Sequence, residues 1–330
     1  MKRYFLKGIA TLALALMPAV AGAGEITLYS GRGETLVGGL IKQFEAESGV
    51  KVNTRFGGTS ELATLLKEEG ARSPADVFWG QEAGSLITLA PQFAPLPAAV
   101  NAEVAPPFRS GTDAWAPTSA RTRTLVYSKD RVKPAELPAS VKDLTDPKYK
   151  GRVAWAPTNG SFQAFITAFR AIEGEAAAKA WLEAMKANGA KAYRNNGTQI
   201  EAIANGEVDF GLVNNYYLGR YTARDAAYPV VQTHFVAGDL GNLPLVSGVG
   251  VLATSDNTAD AVKFVEFLLS KGAQQTITEK GYEYAVIPGI AVPPTLESYD
   301  TLLKITPKVD LAALADLDGT LKLLRDVGLL

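Results

Sequence analysis

The sequence predicts a two-lobed α/β protein with a ligand cleft between the lobes. The chain has 330 residues, of which 47% are apolar, so it can build two cores. Strand-like and helix-like segments alternate along it, as they do in parallel sheets. Two long extended segments, 115–127 and 243–254, flank a separate α/β block and are expected to cross between the lobes. A cleft between two lobes is the natural place for a ligand.

The first residues have the pattern of an export signal. Three basic residues within the first seven precede an apolar run from Gly8 to Met17, and small residues lead to Ala23. This pattern predicts a secretory signal peptide over residues 1–23 with an A-x-A cleavage site. The apolar run is shorter than the ~20 residues of a spanning helix, so we expect a protein that does not span the membrane.

The charge balance and the lack of cysteine limit which partners and which cell compartment we expect for this protein. Cleavage after Ala23 would leave 30 basic against 34 acidic residues, so the excess positive charge that nucleic acid binding requires is missing. The sequence has no cysteine, and therefore no lipid attachment point beside the cleavage site. A free exported protein is retained near the cell only by a second membrane. We therefore expect a monomer in the periplasm.

The first lobe is predicted to open with a strand, a glycine turn and a helix. Residues 25–30 alternate in polarity, Gly31-Arg32-Gly33 makes the turn, and apolar residues recur at helical spacing up to a stop at Gly49. We expect Arg32 at the mouth of the cleft. The elements that continue this alternation are a strand over 50–56, a helix capped by Ser60 and ending at Glu69, a strand over 75–80 and a helix over 84–90.

A second α/β block follows the first extended segment. Its predicted elements are a strand over 152–156, helices over 161–172, 175–188 and 198–205, and a strand over 208–214, and helices over 259–270 and 272–280 follow the second extended segment. The predicted N-terminal lobe therefore comprises residues 24–120 and 245–290. The predicted C-terminal lobe comprises residues 121–244 and 291–330.

Two adjacent tyrosines follow the last strand of this block. Tyr216 and Tyr217 come directly after Asn214-Asn215, and Gly219 is consistent with a turn. Neighbouring strand residues point to opposite faces, so two tyrosines meet one ligand only where the strand ends. A deprotonated phenol is a hard anionic donor that suits a small, highly charged cation such as Fe(III). Packing is the alternative role for these side chains.

Two further places supply groups suited to an anion. Asn159-Gly160-Ser161 lies between a strand and a helix, where free N–H groups and the helix dipole favour negative charge; simple helix capping is the alternative. Arg121 and Arg123 lie on the crossing strand, and we expect one to face the cleft and the other to be exposed. Arginine binds a planar carboxylate or carbonate in a bidentate manner.

Several other chemistries are excluded. The sequence has one histidine, His234, and no cysteine, which excludes zinc fingers, haem attachment and cysteine catalysis. It also contains no G-x-S-x-G nucleophile elbow and no Walker-type phosphate loop.

The whole mature chain resembles the periplasmic ferric-ion-binding proteins of bacterial ABC importers. The segments that carry the resemblance are LYSGRG at 28–33, SPADVFW at 73–79, APT at 156–158, NGEVD at 205–209 and NNYY at 214–217. The resemblance implies a type II periplasmic-binding fold that holds Fe(III) in the cleft through paired tyrosines and a synergistic anion. It also implies docking on an inner-membrane permease.

Matched position by position, Tyr216 and Tyr217 correspond to the phenolate ligands of this family. The residues that match its anion site are Asn159, Gly160, Ser161, Asn196 and Asn214. The chain also departs from the pattern. Gly33 stands where some members have a histidine ligand, and Gln81, followed by Glu82, stands where they have a glutamate. Asn159 or Gly160 replaces the third tyrosine of other members.

The predicted site is therefore poor in protein ligands. We expect carbonate, bicarbonate or phosphate, together with water, to complete the iron shell, with Arg32 and Arg121 as charge partners of the anion. Weaker candidate ligands are Gln81, Glu82 and Tyr193.

The expected function is a non-enzymatic receptor that captures ferric iron and delivers it to an ABC permease. One alternative is the same fold binding an organic phosphonate, a polyamine or an intact ferric chelate, with the tyrosines against an organic group. The other is an exported enzyme with Glu82 or Asp76 as general base and Arg121 as electrophile, although no nucleophile–base pair is recognisable.

Overall fold

The computed structural model describes residues 24–294 and 296–330, and the predicted signal peptide lies outside them. The strands of this part are β1 Glu25–Ser30, β2 Lys51–Phe56, β3 Val77–Gly80, β4 Ala116–Ser128, β5 Val153–Trp155, β6 Lys191–Ala192, β7 Phe210–Asn214, β8 Val230–Thr233 and β9 Pro244–Val251. The α-helices are α1 Glu34–Ser48, α2 Thr59–Glu69, α3 Ala83–Leu89, α4 Gly160–Glu173, α5 Glu175–Ala187, α6 Asn196–Ala204, α7 Tyr216–Thr222, α8 Thr258–Leu269, α9 Lys271–Gly281, α10 Tyr299–Ile305 and α11 Leu317–Asp326.

The long strand β4 joins the two halves of the sheet. The strand order is β2-β1-β3-β9-β4-β7-β5-β6, and β8 also pairs with β4. The first half of β4 pairs with β9 from Ala116 to Thr122. The second half, from Arg123 to Ser128, pairs with β7 and β8. The two extended segments predicted from the sequence are thus strands, and β4 crosses between the halves, whereas β9 pairs only with β3 and with the first half of β4.

Parallel strands bring the candidate site residues to the carboxyl edges of the sheet. In the first half, β1 lies between β2 and β3 and runs parallel to both. In the second half, β5 lies between β6 and β7 and also runs parallel to both. Loops at the carboxyl ends of parallel strands are the usual place for a ligand. Arg32, Gln81, Asn159 and Asn215 all follow such strand ends.

Helix α1 shows how the sequence builds the first core. Its buried residues Val37, Leu40, Ile41 and Phe44 have the spacing of one helical face. The Phe44 ring contacts the Phe264 ring of α8, with centroids 5.0 Å apart. The helix ends at Gly49, as predicted, and this glycine has a φ of 71°.

An aromatic cluster fixes the start of α4 in the second half. Trp155 at the end of β5 packs edge to face on Phe162, with centroids 5.7 Å apart, and on Trp181 of α5 at 6.2 Å. Phe165 contacts the same Trp181 ring at 5.6 Å. These large buried rings hold the segment between β5 and α4 in one place.

Two local predictions are wrong. Helix α2 begins at Thr59 and is capped by Gly58, so Ser60 lies within the helix. Gly219 also lies within a helix, because β7 passes into α7 without the expected turn. Gly219 is required for packing instead: a Cβ atom there would lie 2.8 Å from the Tyr282 ring.

Within residues 24–294 and 296–330, no helix combines the length and the apolar character that crossing a bilayer requires.

Candidate functional site

The tyrosine pair opens helix α7 at the carboxyl end of β7. Tyr216 is buried and Tyr217 is half-buried. Their rings are stacked, with centroids 4.4 Å apart and an interplanar angle of 29°. The two phenols are therefore neighbours on one side of the site, as two ligands of a single ion must be.

Asn215 anchors the start of α7 to strand β4. Its backbone N–H donates to the Thr122 carbonyl at 3.0 Å, and its side-chain oxygen accepts from the Thr122 N–H at 2.9 Å. Thr122 lies between Arg121 and Arg123 in β4. This two-way connection therefore places the tyrosines beside both arginines.

Both arginines of β4 are buried, with Arg121 0% and Arg123 3% exposed. The expectation that one of them is exposed is wrong, because residues two apart in a strand lie on the same face. Arg123 donates to the side-chain oxygen of Asn214 at 2.9 Å and to the Leu212 carbonyl at 2.7 Å. Its position beside the phenols is thus fixed by β7.

The phenols and arginines influence each other's protonation. Burial raises the pKa of Tyr216 well above its ordinary value, the adjacent Tyr217 raises it further, and Arg121 opposes both. Burial also lowers the pKa of Arg123 to about 10, an effect that Tyr216 and Tyr217 oppose. At neutral pH the arginines are therefore charged, and a cation that binds the Tyr216 oxygen has to displace its proton.

Three of the predicted anion-binding residues meet in one hydrogen-bonded chain. The Asn214 side-chain amide donates to the Ser161 hydroxyl at 2.9 Å, and its backbone N–H donates to the Asn196 side chain at 2.8 Å. The Asn196 oxygen also accepts from Arg123 at 3.2 Å. All three residues are buried, so this chain brings polar groups to the carboxyl ends of β5 and β7.

The other two predicted anion-binding residues start helix α4. The Asn159 side chain accepts from the Ser161 N–H at 3.1 Å, so it caps the helix. Gly160 is the first residue of α4 and is exposed. The capping alternative considered for Asn159 is thus present in the structure.

Arg32 is buried rather than placed at the mouth of the cleft. It is 2% exposed, and its Nη2 pairs with Glu283 Oε2 at 2.8 Å. Its Nη1 donates to Gln81 Oε1 at 2.9 Å and to the Ser247 hydroxyl at 2.6 Å. The prediction that Arg32 lies at the mouth of the cleft is wrong, because Glu283, which is distant in the sequence, pairs with its guanidinium inside the protein.

Glu283 is the buried anion of this network. Burial alone would raise the pKa of Glu283, but the charges of Arg32 and Arg121 and a hydrogen bond from Ser119 hold it below its ordinary value. The carboxylate is therefore ionised at neutral pH, and it neutralises one of the buried arginines.

Glu82 pairs with the other arginine. Glu82 Oε2 lies 2.8 Å from Arg121 Nη2, and the Glu82 side chain is 24% exposed. Burial raises the pKa of Glu82, whereas Arg121 opposes that shift. Glu82 also lines a pocket between α3 and α4, together with Gly160, Gln163 and Leu245. This carboxylate therefore lies between a buried cation and the open cleft.

Two other candidates have hydrogen-bond partners of their own. The Tyr193 hydroxyl donates to Glu207 at 3.0 Å, and burial together with this carboxylate raises the pKa of Tyr193 to about 12. Asp76 precedes β3 and accepts from the Thr27 N–H at 2.7 Å, whereas Glu82 follows the opposite end of that strand. The two general-base candidates, Glu82 and Asp76, thus do not share one site.

Sequence reasoning missed Arg220, which lies over both tyrosine rings. Its guanidinium carbon is 4.9 Å from the Tyr216 ring centroid and 5.3 Å from that of Tyr217. The spacing of three and four residues places these side chains together on a helix, so a predicted helix over 216–222 would have revealed the contact. Glu283 and Ser247 gave no comparable signal in the sequence.

Comparison with known proteins places the chain in a family. Residues 30–275 match the model of the bacterial extracellular solute-binding proteins. The chain is 36% identical to the Fe(3+)-binding periplasmic protein of Serratia marcescens, over 97% of this chain and 94% of that protein. It is 35% identical to the major ferric iron-binding protein of Neisseria meningitidis serogroup B, over 97% of this chain and 98% of that protein.

Solved structures show the same fold. Iron-bound HitA from Pseudomonas aeruginosa matches with a TM-score of 0.85 and 36% identity, over 92% of this chain and 99% of that chain. The Trichodesmium protein IdiA (FutA), in complex with iron and citrate, matches with a TM-score of 0.83 and 30% identity, over 93% of this chain and 100% of that chain. The predicted type II periplasmic-binding fold is thus confirmed, and the chain belongs to the family of bacterial extracellular solute-binding proteins.

Proposed function

We propose that this protein captures ferric iron in the periplasm and delivers it to an ABC permease. The observation that carries the proposal is the stacked pair Tyr216 and Tyr217 beside the buried cations Arg121 and Arg123. Fe(III) favours hard anionic oxygen donors, and nearby positive charge favours the phenolate over the phenol. The names of the Serratia and Neisseria relatives support ferric iron as the cargo and the periplasm as the compartment.

A small anion, such as carbonate, bicarbonate or phosphate, is proposed to complete the iron shell. Two phenolates leave most of the positions around the ion open. The groups that support an anion next to them are the Asn214 amide, the Ser161 hydroxyl and the Arg123 guanidinium, which already form one hydrogen-bonded chain. Arg32 is the weaker partner, because its Nη1 and Nη2 atoms already donate to Gln81, Ser247 and Glu283.

Capture is proposed to involve closure of the two lobes about the crossing strand β4. In this scheme the lobes comprise residues 24–120 with 245–290 and residues 121–244 with 291–330. Cargo that contacts both lobes favours the closed state, since a ligand shifts an equilibrium towards the state it binds more tightly. The closed, loaded protein, acting as a monomer, would then dock on its permease.

An intact ferric chelate is the second candidate cargo. Arg121, Arg123 and Arg220 lie beside the tyrosines, and their positive charge disfavours a polyamine and favours an anionic complex. The Trichodesmium structure, which holds iron and citrate, supports the same alternative.

An iron titration of the metal-free mature protein in bicarbonate buffer tests the proposal. We expect a visible phenolate-to-iron charge-transfer band that saturates at one iron per chain and is lost in Tyr216→Phe and in Tyr217→Phe. Tyr221→Phe is the matched control, because Tyr221 lies on the same helix but donates to Glu201 at 2.8 Å. A wild-type protein that shows no band with iron and bicarbonate would overturn the proposal, and a band with ferric citrate alone would favour the chelate.

A further inference from the structure

The pair Glu82 and Arg121 uses groups that an incoming anion would need. Arg121 Nη2 forms an ion pair with Glu82 Oε2 at 2.8 Å and donates to the Gln81 carbonyl at 2.6 Å. Arg121 Nη1 donates to the Ser247 hydroxyl at 3.0 Å. A bidentate anion requires two parallel N–H groups on one guanidinium. While Glu82 is in place, Arg121 has no such pair to offer.

The buried charges explain why a carboxylate stands here. Arg32, Arg121 and Arg123 are all buried, and Glu283 directly pairs with only Arg32. Without Glu82, Arg121 would be a buried cation with no anion in contact, and such a charge is costly. Glu82 is the more exposed member of its pair, with 24% of its side chain accessible against 0% for Arg121. It can therefore leave towards the cleft, whereas Arg121 cannot.

Arg121 also has an unused donor that points to a further ligand. Its Nε–H is buried and has no hydrogen-bond partner in the structure. Departure of Glu82 would remove the carboxylate that pairs with Nη2, the neighbour of Nε on the guanidinium. Nε and Nη2 together form the edge that binds a carboxylate, a carbonate or a phosphate in a bidentate manner.

We propose that Glu82 is an internal competitor for anions, a residue that occupies Arg121 in the unliganded protein and sets which anions the site accepts. A monocarboxylate carries the same charge as Glu82. It has to bind from solution, however, whereas Glu82 is already part of the chain. A dianion such as carbonate or hydrogen phosphate offers more charge and displaces Glu82 more readily. The proposal deepens the proposed function, because it rests on an anion binding beside the tyrosines.

Anion binding to the metal-free protein tests this directly. Phosphate and acetate are titrated calorimetrically into wild type and into Glu82→Gln, which removes the charge but keeps the shape of the side chain. We expect Glu82→Gln to bind phosphate about tenfold more tightly than wild type and to gain measurable acetate binding. Equal anion affinities in the two folded proteins would overturn the proposal.

Three further variants identify the cause of the gain. Glu173→Gln is the matched control, because it breaks an exposed pair with Lys142 of 3.0 Å and should leave anion affinity unchanged. Glu82→Asp keeps the charge but withdraws it from Arg121. Its affinity for phosphate should therefore lie between that of wild type and that of Glu82→Gln. Adding Arg121→Lys to Glu82→Gln should remove most of the gain, because lysine lacks the bidentate edge. A gain that persists undiminished in this folded double variant would assign the effect elsewhere.

The outcome is separable from that of the iron experiment. The anion titrations use no iron, and the charge-transfer band depends on Tyr216 and Tyr217 rather than on Glu82. A gain in anion affinity without any iron band would uphold Glu82 as a competitor and overturn ferric iron as the cargo. An iron band without any gain in anion affinity in Glu82→Gln would uphold ferric iron as the cargo and overturn Glu82 as a competitor.

Discussion

Gly219 and Tyr282 are in direct contact between helix α7 and the end of helix α9. A Cβ atom on Gly219 would lie 2.8 Å from the Tyr282 ring. Tyr282 has a φ of 55° and caps α9 in the left-handed conformation. Its carbonyl accepts from the Asn215 side chain at 3.4 Å, and the next residue, Glu283, pairs with Arg32. The helix that bears the tyrosines thus packs without clearance against the segment that holds Arg32.

Gly219→Ala is expected to displace α7 and weaken iron binding. The added methyl group cannot fit against the Tyr282 ring, so the tyrosine pair must move relative to Arg121. Because small displacements of ligands cost much affinity, we expect a loss of about tenfold or more in iron affinity, measured by competition with citrate. Gly39→Ala in α1 is the control, since a Cβ atom there meets nothing within 4 Å. Unchanged iron affinity in Gly219→Ala would show that the contact does not position the site.

Iron affinity is expected to fall as the pH falls. The pKa of Tyr216 is raised above its ordinary value by burial, so its phenol is protonated in the empty site and must release a proton to iron. Each proton released lowers the affinity by about tenfold per pH unit of acidification. The measurement is iron competition at several pH values between neutral and about pH 5, at constant anion concentration. Tyr216→Phe should show a shallower slope, and a wild-type affinity independent of pH would exclude phenolate ligands.

Glu283→Gln is expected to destabilise the fold. Removing one partner of a buried ion pair leaves Arg32 uncompensated, which costs roughly 3 kcal/mol of unfolding free energy in denaturant titrations. The exposed pair lost in Glu173→Gln should cost less than about 1 kcal/mol. Because the pKa of Glu283 is lowered, its stabilisation is present above the ordinary glutamate pKa and is lost as the pH falls through the lowered folded value. Glu283→Gln should therefore lose less stability than wild type on acidification below roughly pH 4.

Arg220→Ala is expected to weaken iron binding modestly. The Arg220 guanidinium lies over both tyrosine rings and holds them in place, and an exposed cation–π contact is worth about 0.5 to 1 kcal/mol. The iron affinity should fall about two- to fivefold, with a shift in the charge-transfer band. Arg220→Lys should retain most of the affinity because it keeps the charge. Arg224→Ala, at an exposed position beyond α7, controls for the loss of a surface cation.

Local patterns were enough to predict most of the fold. Features that depend on neighbouring residues were predicted correctly. They are the helical period of α1 with its end at Gly49, the two long extended segments, and the pair of helices α4 and α5. Helix α7 was not predicted, because the residues after β7 were expected to turn at Gly219 rather than to continue as a helix. The assignment of Arg121 and Arg123 to different faces failed because it misapplied the period of a strand, in which residues two apart share a face.

The candidate site was predictable in part. Ser161, Asn196 and Asn214 were predicted from the family resemblance, and the structure brings them together. The pair of Arg32 with Glu283 was not predictable, since 251 residues separate the two partners along the chain. A single sequence carries no local signal for such a contact, so the buried network behind the tyrosines appeared only in the structure.

The two arginines of β4 belong to different halves of the sheet. Arg121 is in register with Leu245 of β9, whereas Arg123 is in register with Asn214 of β7, and only Thr122 separates them. In the proposed closure about β4, one half turns against the other, and this motion would change the distance between two like charges. Repulsion between them would favour the open state, and an anion that neutralises either arginine would favour the closed state.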